Sequence, residues 1–202
     1  MSFRRLAEHQ PASFAFTAEN EAWCREQFKK YPPGRQASAV IPILWRGQEQ
    51  EGWVTKPMIE AVASMLDMPY IRVLEVATFY TMFNLEPVGE HLVQVCTTTP
   101  CWLRGSDAIV AACKKAIHPK PHAVSNDGKF SWMEAECLGA CVNAPMVLVD
   151  KDPYEDLDGA KMEAIIESYR KGRPMKPGPQ NGRRSSEPEG GATTLKEGAD
   201  AR

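Results

Sequence analysis

Four of the six cysteines form two closely spaced pairs, and this spacing indicates a metal centre. Cys96 and Cys101 are separated by four residues, and Cys137 and Cys141 by three. We expect no secretory signal, because no apolar stretch follows the arginines near the N-terminus. In a chain without an export signal, paired cysteines predict metal ligands rather than disulfides.

A binuclear [2Fe–2S] cluster fits the two pairs better than a single zinc ion does. Structural zinc sites usually use a C-x2-C knuckle, and neither pair has that form. A [2Fe–2S] core is larger than one ion and takes two cysteines per iron, so wider loops wrap it more easily. Zinc ligation, two redox-active disulfides and buried structural thiols stay open as alternatives here. The predicted metal and cofactor ligands, called the thiol site below, are Cys96, Cys101, Cys137 and Cys141, and we assign no catalytic residue.

The residues around the two pairs are also suited to a cluster. Gly139 has no side chain, so the backbone can approach inorganic sulfide closely. The backbone amides of residues 97–99 and 138–140 are expected to donate hydrogen bonds to sulfur. Four apolar side chains are predicted to limit the access of water: Trp102, Leu138, Val142 and Met146. The remaining cysteines, Cys24 and Cys113, lie on apolar faces of predicted helices and are expected in cores.

Charge and hydropathy exclude two broad classes of partner. The formal net charge of −2 gives no basic excess, so no nucleic-acid surface is predicted. The longest apolar runs, residues 39–45 and 144–149, are far shorter than the roughly 20 residues that cross a bilayer. We therefore expect no direct membrane insertion, so that any membrane association has to come through a partner.

Helical periodicity extends over residues 14–86 and predicts a small helical bundle. Thr17 and Thr55 are predicted N-caps, because each directly precedes a segment of helical periodicity. In the second helix, Ile41, Leu44 and Trp45 are expected to face the core. The predicted helices cover about 17–31, 38–51, 55–68 and 70–83.

Strand patterns appear after residue 87, and the order over 87–172 is strand, helix, then three strands and a helix. The first strand, helix and strand favour a parallel pair with a right-handed crossover, and the next two strands favour a hairpin. This order predicts a thioredoxin-like α/β domain behind the helical bundle. Each cysteine pair is predicted in a loop that follows a strand. Such loops can gather at one edge of a sheet, so the thiols are expected to converge.

The two ends of the chain have little predicted structure. Residues 1–13 are expected to be a flexible N-terminus. Residues 173–202 are rich in proline and glycine and contain few large apolar side chains, so they cannot bury enough surface to fold alone. This segment is predicted to be either disordered or extended, with 173–183 as a possible strap over a partner subunit.

Four longer sequence motifs resemble those of a known protein family. They are GRQASA at 34–39, QEQEGW at 48–53, VATFY at 76–80 and CLGACVNAP at 137–145. Together with the C-x4-C and C-x3-C pairs, these motifs resemble the E subunit of bacterial NADH:quinone oxidoreductase, respiratory complex I. The mitochondrial counterpart of that family is the smaller flavoprotein subunit. The resemblance covers about 14–183.

The resemblance implies a fold, a cofactor and partners. It implies a helical bundle followed by a thioredoxin-like ferredoxin domain that binds one [2Fe–2S] cluster at the thiol site. It further implies an electron-transfer role, in which one electron comes from reduced FMN. The NADH and FMN sites would lie on the partner, the larger flavoprotein subunit. Other peripheral-arm subunits are further expected partners. The implied location is cytoplasmic and peripheral on the inner membrane, or on the matrix side in an organelle.

Two other functions share parts of this pattern. Related subunits serve NAD-linked formate dehydrogenases and hydrogenases, and there the same fold would act in another complex. A zinc-stabilised interaction module without a redox role is a candidate from a different class. Iron and acid-labile sulfide analysis separates the zinc module from both redox functions.

Overall fold

The structure is a computed structural model, and it describes residues 4–188, 190–191 and 194. The chain divides into two compact units, Met1–Val88 and Gly89–Arg202. The division falls within the Pro87, Val88, Gly89 segment, where the sequence pattern changes from helical to strand-like. Each unit has its own hydrophobic core. Among the described residues, none of the helices combines the length and the hydropathy needed to cross a membrane.

From residue 4 onward, where the structure describes it, unit 1 has four α-helices and one short 3-10 turn, Gln36–Ala39, before the second helix. The predicted caps at Thr17 and Thr55 are present, and their hydroxyls accept hydrogen bonds from the amides of Asn20 and Met58. The helices are α1 Ala18–Phe28, α2 Val40–Glu51, α3 Lys56–Met65 and α4 Tyr70–Phe79.

The core of unit 1 contains the predicted inward face of α2 in part, since Leu44 is fully buried and Ile41 and Trp45 pack against the same core. Val40, Ile43 and Leu44 are buried, whereas Ile41 and Trp45 are only half-buried. α4 ends about one turn earlier than predicted, and the backbone becomes extended immediately after it.

The N-terminal segment, predicted to be flexible over 1–13, has specific contacts from residue 4 onward. The Arg4 guanidinium donates hydrogen bonds to four carbonyls at and beyond the end of α4, those of Ala77, Thr78, Tyr80 and Phe83. The amide of Ala7 donates to the carbonyl of Leu85 at 2.9 Å. Arg4 thus satisfies carbonyls that a helix end leaves without partners.

Unit 2 has a five-stranded mixed sheet in the order β2-β1-β3-β4-β5. β1 and β2 are parallel, β3 is antiparallel to β1 and to β4, and β5 is parallel to β4. The predicted parallel pair and hairpin are therefore both present. The strands are β1 His91–Cys96, β2 Phe130–Ala135, β3 Val147–Val149, β4 Asp152–Glu155 and β5 Gly178–Pro179.

Three helices complete unit 2: α5 Thr99–Leu103, α6 Ser106–Ala116 and α7 Gly159–Arg170. The buried faces of α6 and α7 pack against each other and form one core with the strands. Asp158 caps α7, because its carboxylate accepts a hydrogen bond from the amide of Lys161 at 2.8 Å. The predicted fold class is thus confirmed, while α5 and β5 were not predicted. A Thr98 N-cap position followed by Pro100 in the first turn marks the start of α5 in hindsight.

The C-terminal segment is extended and attached to unit 2 as far as it is described. β5 pairs with β4, and the amide of Gln180 donates to the carbonyl of Glu155 at 2.9 Å. The Tyr154 hydroxyl donates to the carbonyl of Met175 at 2.9 Å. Residues 173–188 therefore fold back onto their own unit. The remainder of the predicted tail, apart from 190–191 and 194, lies outside the described residues.

Candidate metal centre

The two cysteine pairs meet at the carboxyl ends of two adjacent parallel strands. Cys96 is the last residue of β1, and its register partner in β2 is Ala135. Cys137 follows two residues after Ala135. Because β1 and β2 run side by side in the same direction, the residues that follow them emerge at one edge of the sheet. The fold therefore delivers one cysteine of each pair to the same place.

The second member of each pair lies on a short helical segment rather than in a loop. Cys101 is on α5, where it is 1% exposed. Cys141 begins a 3-10 turn, Cys141–Asn143, and its sulfur is 3.4 Å from the sulfur of Cys137. The prediction of two loop-borne pairs is thus corrected, since helical turns bring Cys101 and Cys141 back toward the strand ends.

Interactions within and between the two pairs affect the acidity of the thiols. The Thr98 hydroxyl is 3.3 Å from the Cys96 sulfur, and the Thr98 side chain also lowers the pKa of Cys137. Within its own pair, Cys101 has a pKa that is raised by burial and then by the neighbouring Cys96 thiol. The thiol of Cys141 interacts electrostatically with that of Cys96. Thr98, which the sequence did not single out, therefore links the two halves of the thiol site.

Backbone amides of neighbouring residues donate to three of the four sulfurs. The amides of Thr98 and Leu138 donate to the Cys96 sulfur, and that of Gly139 donates to the Cys137 sulfur. These donors lie in the two segments in which the sequence predicted them. The amide of Met146 donates to the Cys101 sulfur and was not expected. Amide donors of this kind stabilise negative charge on thiolate ligands.

The environment divides the thiols into two classes of acidity. Burial alone raises the pKa of Cys96, but hydrogen bonds from Thr98 and Leu138 outweigh it, so that the pKa lies below its usual value. The amide of Gly139 and the Cys141 thiol lower the pKa of Cys137. Burial raises the pKa of Cys101 to about 12. The neighbouring Cys137 thiol raises the pKa of Cys141. One thiol of each pair thus has a lowered pKa and the other a raised one.

The donor set fits a polynuclear cluster better than one ion. Within the described residues, no group of three or more His, Cys, Asp or Glu side chains is arranged to hold a single metal ion. Four thiols nevertheless share one edge of the sheet, on a buried base that includes Ala144 and Met146. Four cysteine thiolates are the usual ligands of a [2Fe–2S] core. The residues present therefore suit the cluster.

One side of the thiol site faces solvent in the isolated chain. Cys137 and Cys141 are exposed, whereas Cys96 and Cys101 are buried. Met146 is buried and Leu138 half-buried, as a shielding role requires. The predicted shielding by Trp102 and Val142 is not present, because these side chains are 56% and 67% exposed. Both lie on short helical turns, and the described residues of this unit leave more than half of each side chain exposed.

The backbone of the second cysteine segment has the conformation that its sequence suggests. Gly139 adopts φ of +90°, a region that favours glycine. The Ala144–Pro145 peptide bond is cis. The cysteines outside the thiol site are core residues: Cys24 and Cys113 are fully buried, and burial raises their pKa values to about 11 and about 12. Neither environment indicates a further ligand.

Three residues near the site escaped the sequence reasoning. Asn143 is buried two residues after Cys141, and Arg183 forms a short ion pair with Asp156 next to the same turn. Arg183 is 42 positions from Cys141 along the chain, and no periodicity or motif connects the two. For Asn143 a signal existed in the sequence, since it lies within the CLGACVNAP motif at 137–145.

The fold and the thiol site define a thioredoxin-like α/β protein equipped to bind a metal cluster. A sequence model of the family described as "Thioredoxin-like [2Fe-2S] ferredoxin" matches residues 24–170. The chain belongs to this family. The match confirms the thioredoxin-like ferredoxin part of the resemblance drawn from the sequence motifs.

Curated relatives extend the similarity over nearly the whole chain. The NADH-quinone oxidoreductase E 1 subunit of Rhizobium meliloti (strain 1021) is 57% identical over 200 residues, which are 96% of this chain and 73% of that protein. The NADH-quinone oxidoreductase E subunit of Rickettsia bellii (strain RML369-C) is 55% identical over 159 residues, which are 78% of this chain and 95% of that protein.

Solved structures share the fold at lower sequence identity. An NAD+-reducing [NiFe]-hydrogenase in its H2-reduced state matches with a TM-score of 0.58 and 19% identity over 68% of this chain. The air-oxidized state of that enzyme matches with a TM-score of 0.57 and 20% identity. This chain spans only 23% and 24% of the hydrogenase chains. At such identity the likeness shows the fold alone.

Proposed function

We propose that the chain is the electron-transfer subunit of an NADH:quinone oxidoreductase and that it binds one [2Fe–2S] cluster. The proposed ligands are Cys96, Cys101, Cys137 and Cys141. When bound, the cluster takes up one electron at a time, which we propose comes from reduced FMN on a partner flavoprotein subunit. NADH would bind to that partner, and this chain would reach the membrane only through the complex.

The observation that carries this proposal is the convergence of four thiols at the ends of β1 and β2. Support for the ligand roles comes from the amide donors and from the lowered pKa values of Cys96 and Cys137, because cluster ligands are bound as thiolates. The chain's own role is to hold these sulfurs, to donate hydrogen bonds to them and to cover one side of them. Support for the complex comes from the relatives that are named as E subunits of NADH-quinone oxidoreductases.

A second candidate keeps the cofactor but changes the complex. The same unit could serve an NAD+-reducing hydrogenase, since structures of such an enzyme share the fold. The much higher identity to the NADH-quinone oxidoreductase relatives favours the quinone oxidoreductase. Affinity purification of the chain from its own cells separates the two candidates. Recovery with a hydrogenase or formate dehydrogenase catalytic subunit would reverse the assignment.

Ligand identity is tested with two buried cysteines of the same unit. Cys96 and Cys113 are 1% and 0% exposed, so both alanine substitutions remove a buried thiol. Wild-type protein and Cys113→Ala should each contain about two iron and two acid-labile sulfide per chain. Cys96→Ala should lose both and the EPR signal of the reduced protein. Cys113→Ala should cost about 1 kcal/mol of stability.

Two results would contradict this assignment. A colourless wild-type protein with stoichiometric zinc would support the zinc-stabilised interaction module instead. An unchanged EPR signal in Cys96→Ala would exclude Cys96 as a ligand. The electron donor is tested separately: NADH should bleach the visible absorption only after an FMN-loaded flavoprotein subunit is added.

A further inference from the structure

The C-terminal segment reaches the thiol site through one buried ion pair. The Arg183 guanidinium binds both carboxylate oxygens of Asp156, with Nη2 to Oδ1 at 2.5 Å and Nε to Oδ2 at 2.7 Å. The two side chains are only 9% and 8% exposed. Arg183 lies 27 residues after Asp156, so the pair joins the C-terminal segment to the loop that follows β4. Paired arginine and carboxylate groups of this geometry are specific and strong.

The same guanidinium also contacts the second cysteine turn. Arg183 Nη2 donates to the carbonyl of Val142, the residue after Cys141, at 3.1 Å. The amide of Asp156 donates to the carbonyl of Asn143 at 2.8 Å. Both members of the ion pair therefore hold the 3-10 turn that begins at Cys141. Replacing Arg183 would remove its side-chain hydrogen bond to the turn, whereas the main-chain hydrogen bond of Asp156 does not depend on its side chain.

Asn143 provides a second connection between the turn and the C-terminal segment. Its side-chain amide donates to the Glu155 carboxylate and to the carbonyl of Ser185, the latter at 3.1 Å. The Asn143 side-chain oxygen is buried without a partner in the described structure. Burying a side-chain amide oxygen without a hydrogen bond costs stability. Such a buried amide is tolerated where its other hydrogen bonds fix a conformation. The turn at Cys141 is therefore fixed from two directions.

Charges next to Cys141 bear on any cluster bound there. A cavity of about 190 Å³ is lined by Cys141 and by the side chains of Arg104, Asp156 and Arg183. Reduction of an iron–sulfur cluster adds one negative charge, so nearby cations favour the reduced form and nearby anions oppose it. Because the ion pair is nearly buried, solvent screens its charges less than it screens exposed ones.

We propose that Arg183 and Asp156 form an intrachain clasp that positions the Cys141 turn and adjusts the reduction potential of the cluster at the thiol site. This inference rests on the proposed function, because it concerns the cofactor assigned there. Arg183 and Asp156 are positioning residues, since neither is a proposed ligand. Arg183 lies within the segment that the sequence assigned to a partner-binding strap.

The clasp is tested in the full-length, cluster-loaded protein by potentiometric titration followed by EPR. Arg183→Gln removes a positive charge and should lower the reduction potential, whereas Asp156→Asn removes a negative charge and should raise it. Arg184→Gln is the matched control, because it makes the same charge change at an exposed neighbouring position. The potential of this control should stay at the wild-type value.

The role of Arg183 in positioning the Cys141 turn is measured separately from the effect of its charge. Arg183→Lys keeps the positive charge but cannot bind the carboxylate in the same bidentate way. It should leave the potential close to that of the wild type, while the protein retains iron about tenfold less well against a chelator. Far-UV circular dichroism of each variant checks that unit 2 is folded.

The possible outcomes distinguish the clasp from the proposed function. Shifts of opposite sign in Arg183→Gln and Asp156→Asn, with Arg184→Gln unchanged, support the clasp. Unchanged potentials, shifts of the same sign, or an equal shift in the control overturn it. If Arg183→Gln does not bind the cluster, the reduction potential of Asp156→Asn and the iron retention of Arg183→Lys decide instead. A wild-type chain that binds no iron and sulfide overturns the proposed function itself.

Discussion

At the residue scale, the thiol site combines two thiols that ionise readily with two that resist ionisation. Hydrogen bonds from Thr98 and Leu138 lower the pKa of Cys96 against the effect of burial, and the amide of Gly139 lowers that of Cys137. Burial raises the pKa of Cys101 to about 12. Ligation by a metal would ionise all four thiols, so assembly at this site should release protons.

Cys137 should be the most reactive thiol in the iron-free protein. It is exposed and its pKa is lowered, so a larger thiolate fraction is present at neutral pH than in an ordinary cysteine. Brief alkylation with iodoacetamide and peptide mass spectrometry should find Cys137 modified first. The internal controls are Cys24 and Cys113, which are fully buried. Faster labelling of either control would contradict the described environment.

At the element scale, one glycine determines how closely the chain passes the edge strand β2. A Cβ atom at Gly89 would lie 2.5–2.7 Å from backbone atoms of Phe130, and the backbone of a paired strand cannot move aside easily. At Gly47, in α2, a Cβ would instead meet the flexible side chain of Met58 at 2.6 Å. An added Cβ atom would thus meet a neighbour at a similar distance at both glycines, but that neighbour is backbone at Gly89 and a flexible side chain at Gly47.

Alanine substitutions at these glycines should therefore differ in cost. Gly89→Ala is expected to lower the free energy of unfolding by about 1–3 kcal/mol, because overpacking is opposed by backbone. Gly47→Ala should cost less, since Met58 can shift and alanine improves helix propensity by about 1 kcal/mol. Urea unfolding measures both. A larger loss for Gly47→Ala would show that the Met58 side chain is not free to move.

The contact between β4 and α7 predicts a pH dependence of stability. The hydroxyls of Tyr154 and Tyr169 are 3.1 Å apart, and both side chains are buried. Burial, more than any other cause, raises the pKa of each phenol above its usual value. Above about pH 10 the unfolded chain loses phenolic protons that the folded unit keeps. Stability should therefore fall as the pH rises through that value.

The pH dependence is measured by urea unfolding from about pH 8 to about pH 11. Tyr169→Phe removes one of the two perturbed phenols, so its stability should decrease less steeply with pH than that of the wild type. Lysine side chains also titrate in this range, but they are the same in both proteins. Equal slopes for the two proteins would refute the contribution of Tyr169.

At the scale of the whole molecule, the two units are compact and each contains a separate core. The thiol site and all its described hydrogen-bond partners belong to the unit Gly89–Arg202. The C-terminal segment is part of this unit, because it contributes β5 and the clasp. A functional fragment therefore has to extend past the last predicted helix.

Separate expression of the two units tests this division. The fragment 89–202 should bind about two iron and two sulfide per chain, as the full-length protein is expected to do. The fragment 1–88 should give a helical circular dichroism spectrum without iron. A fragment 89–172, without β5 and the clasp, should lose its iron more readily than 89–202. Equal iron retention by 89–172 and 89–202 would show that the C-terminal segment is dispensable.

Local signals in the sequence were sufficient for most elements and for the composition of the thiol site. Side-chain caps at Thr17, Thr55 and Asp158, and the periodicities between them, act over a few residues, so a single sequence shows them. The spacing within each cysteine pair is local in the same way. The parallel strand pair followed from the order of elements, since connections of this type are strongly restricted.

Tertiary structure alone decided which distant residues complete the site. Cys96 and Cys137 became neighbours through the register of β1 and β2, and Arg183 reached Asp156 because β5 pairs with β4. Local sequence patterns do not predict such pairings. Each pairing contributes only a small part of the free energy that selects the whole fold, so it leaves no pattern of its own in the sequence. The sequence by itself therefore determined the chemistry of the thiols, and the packed chain determined their geometry, acidity and surrounding charge.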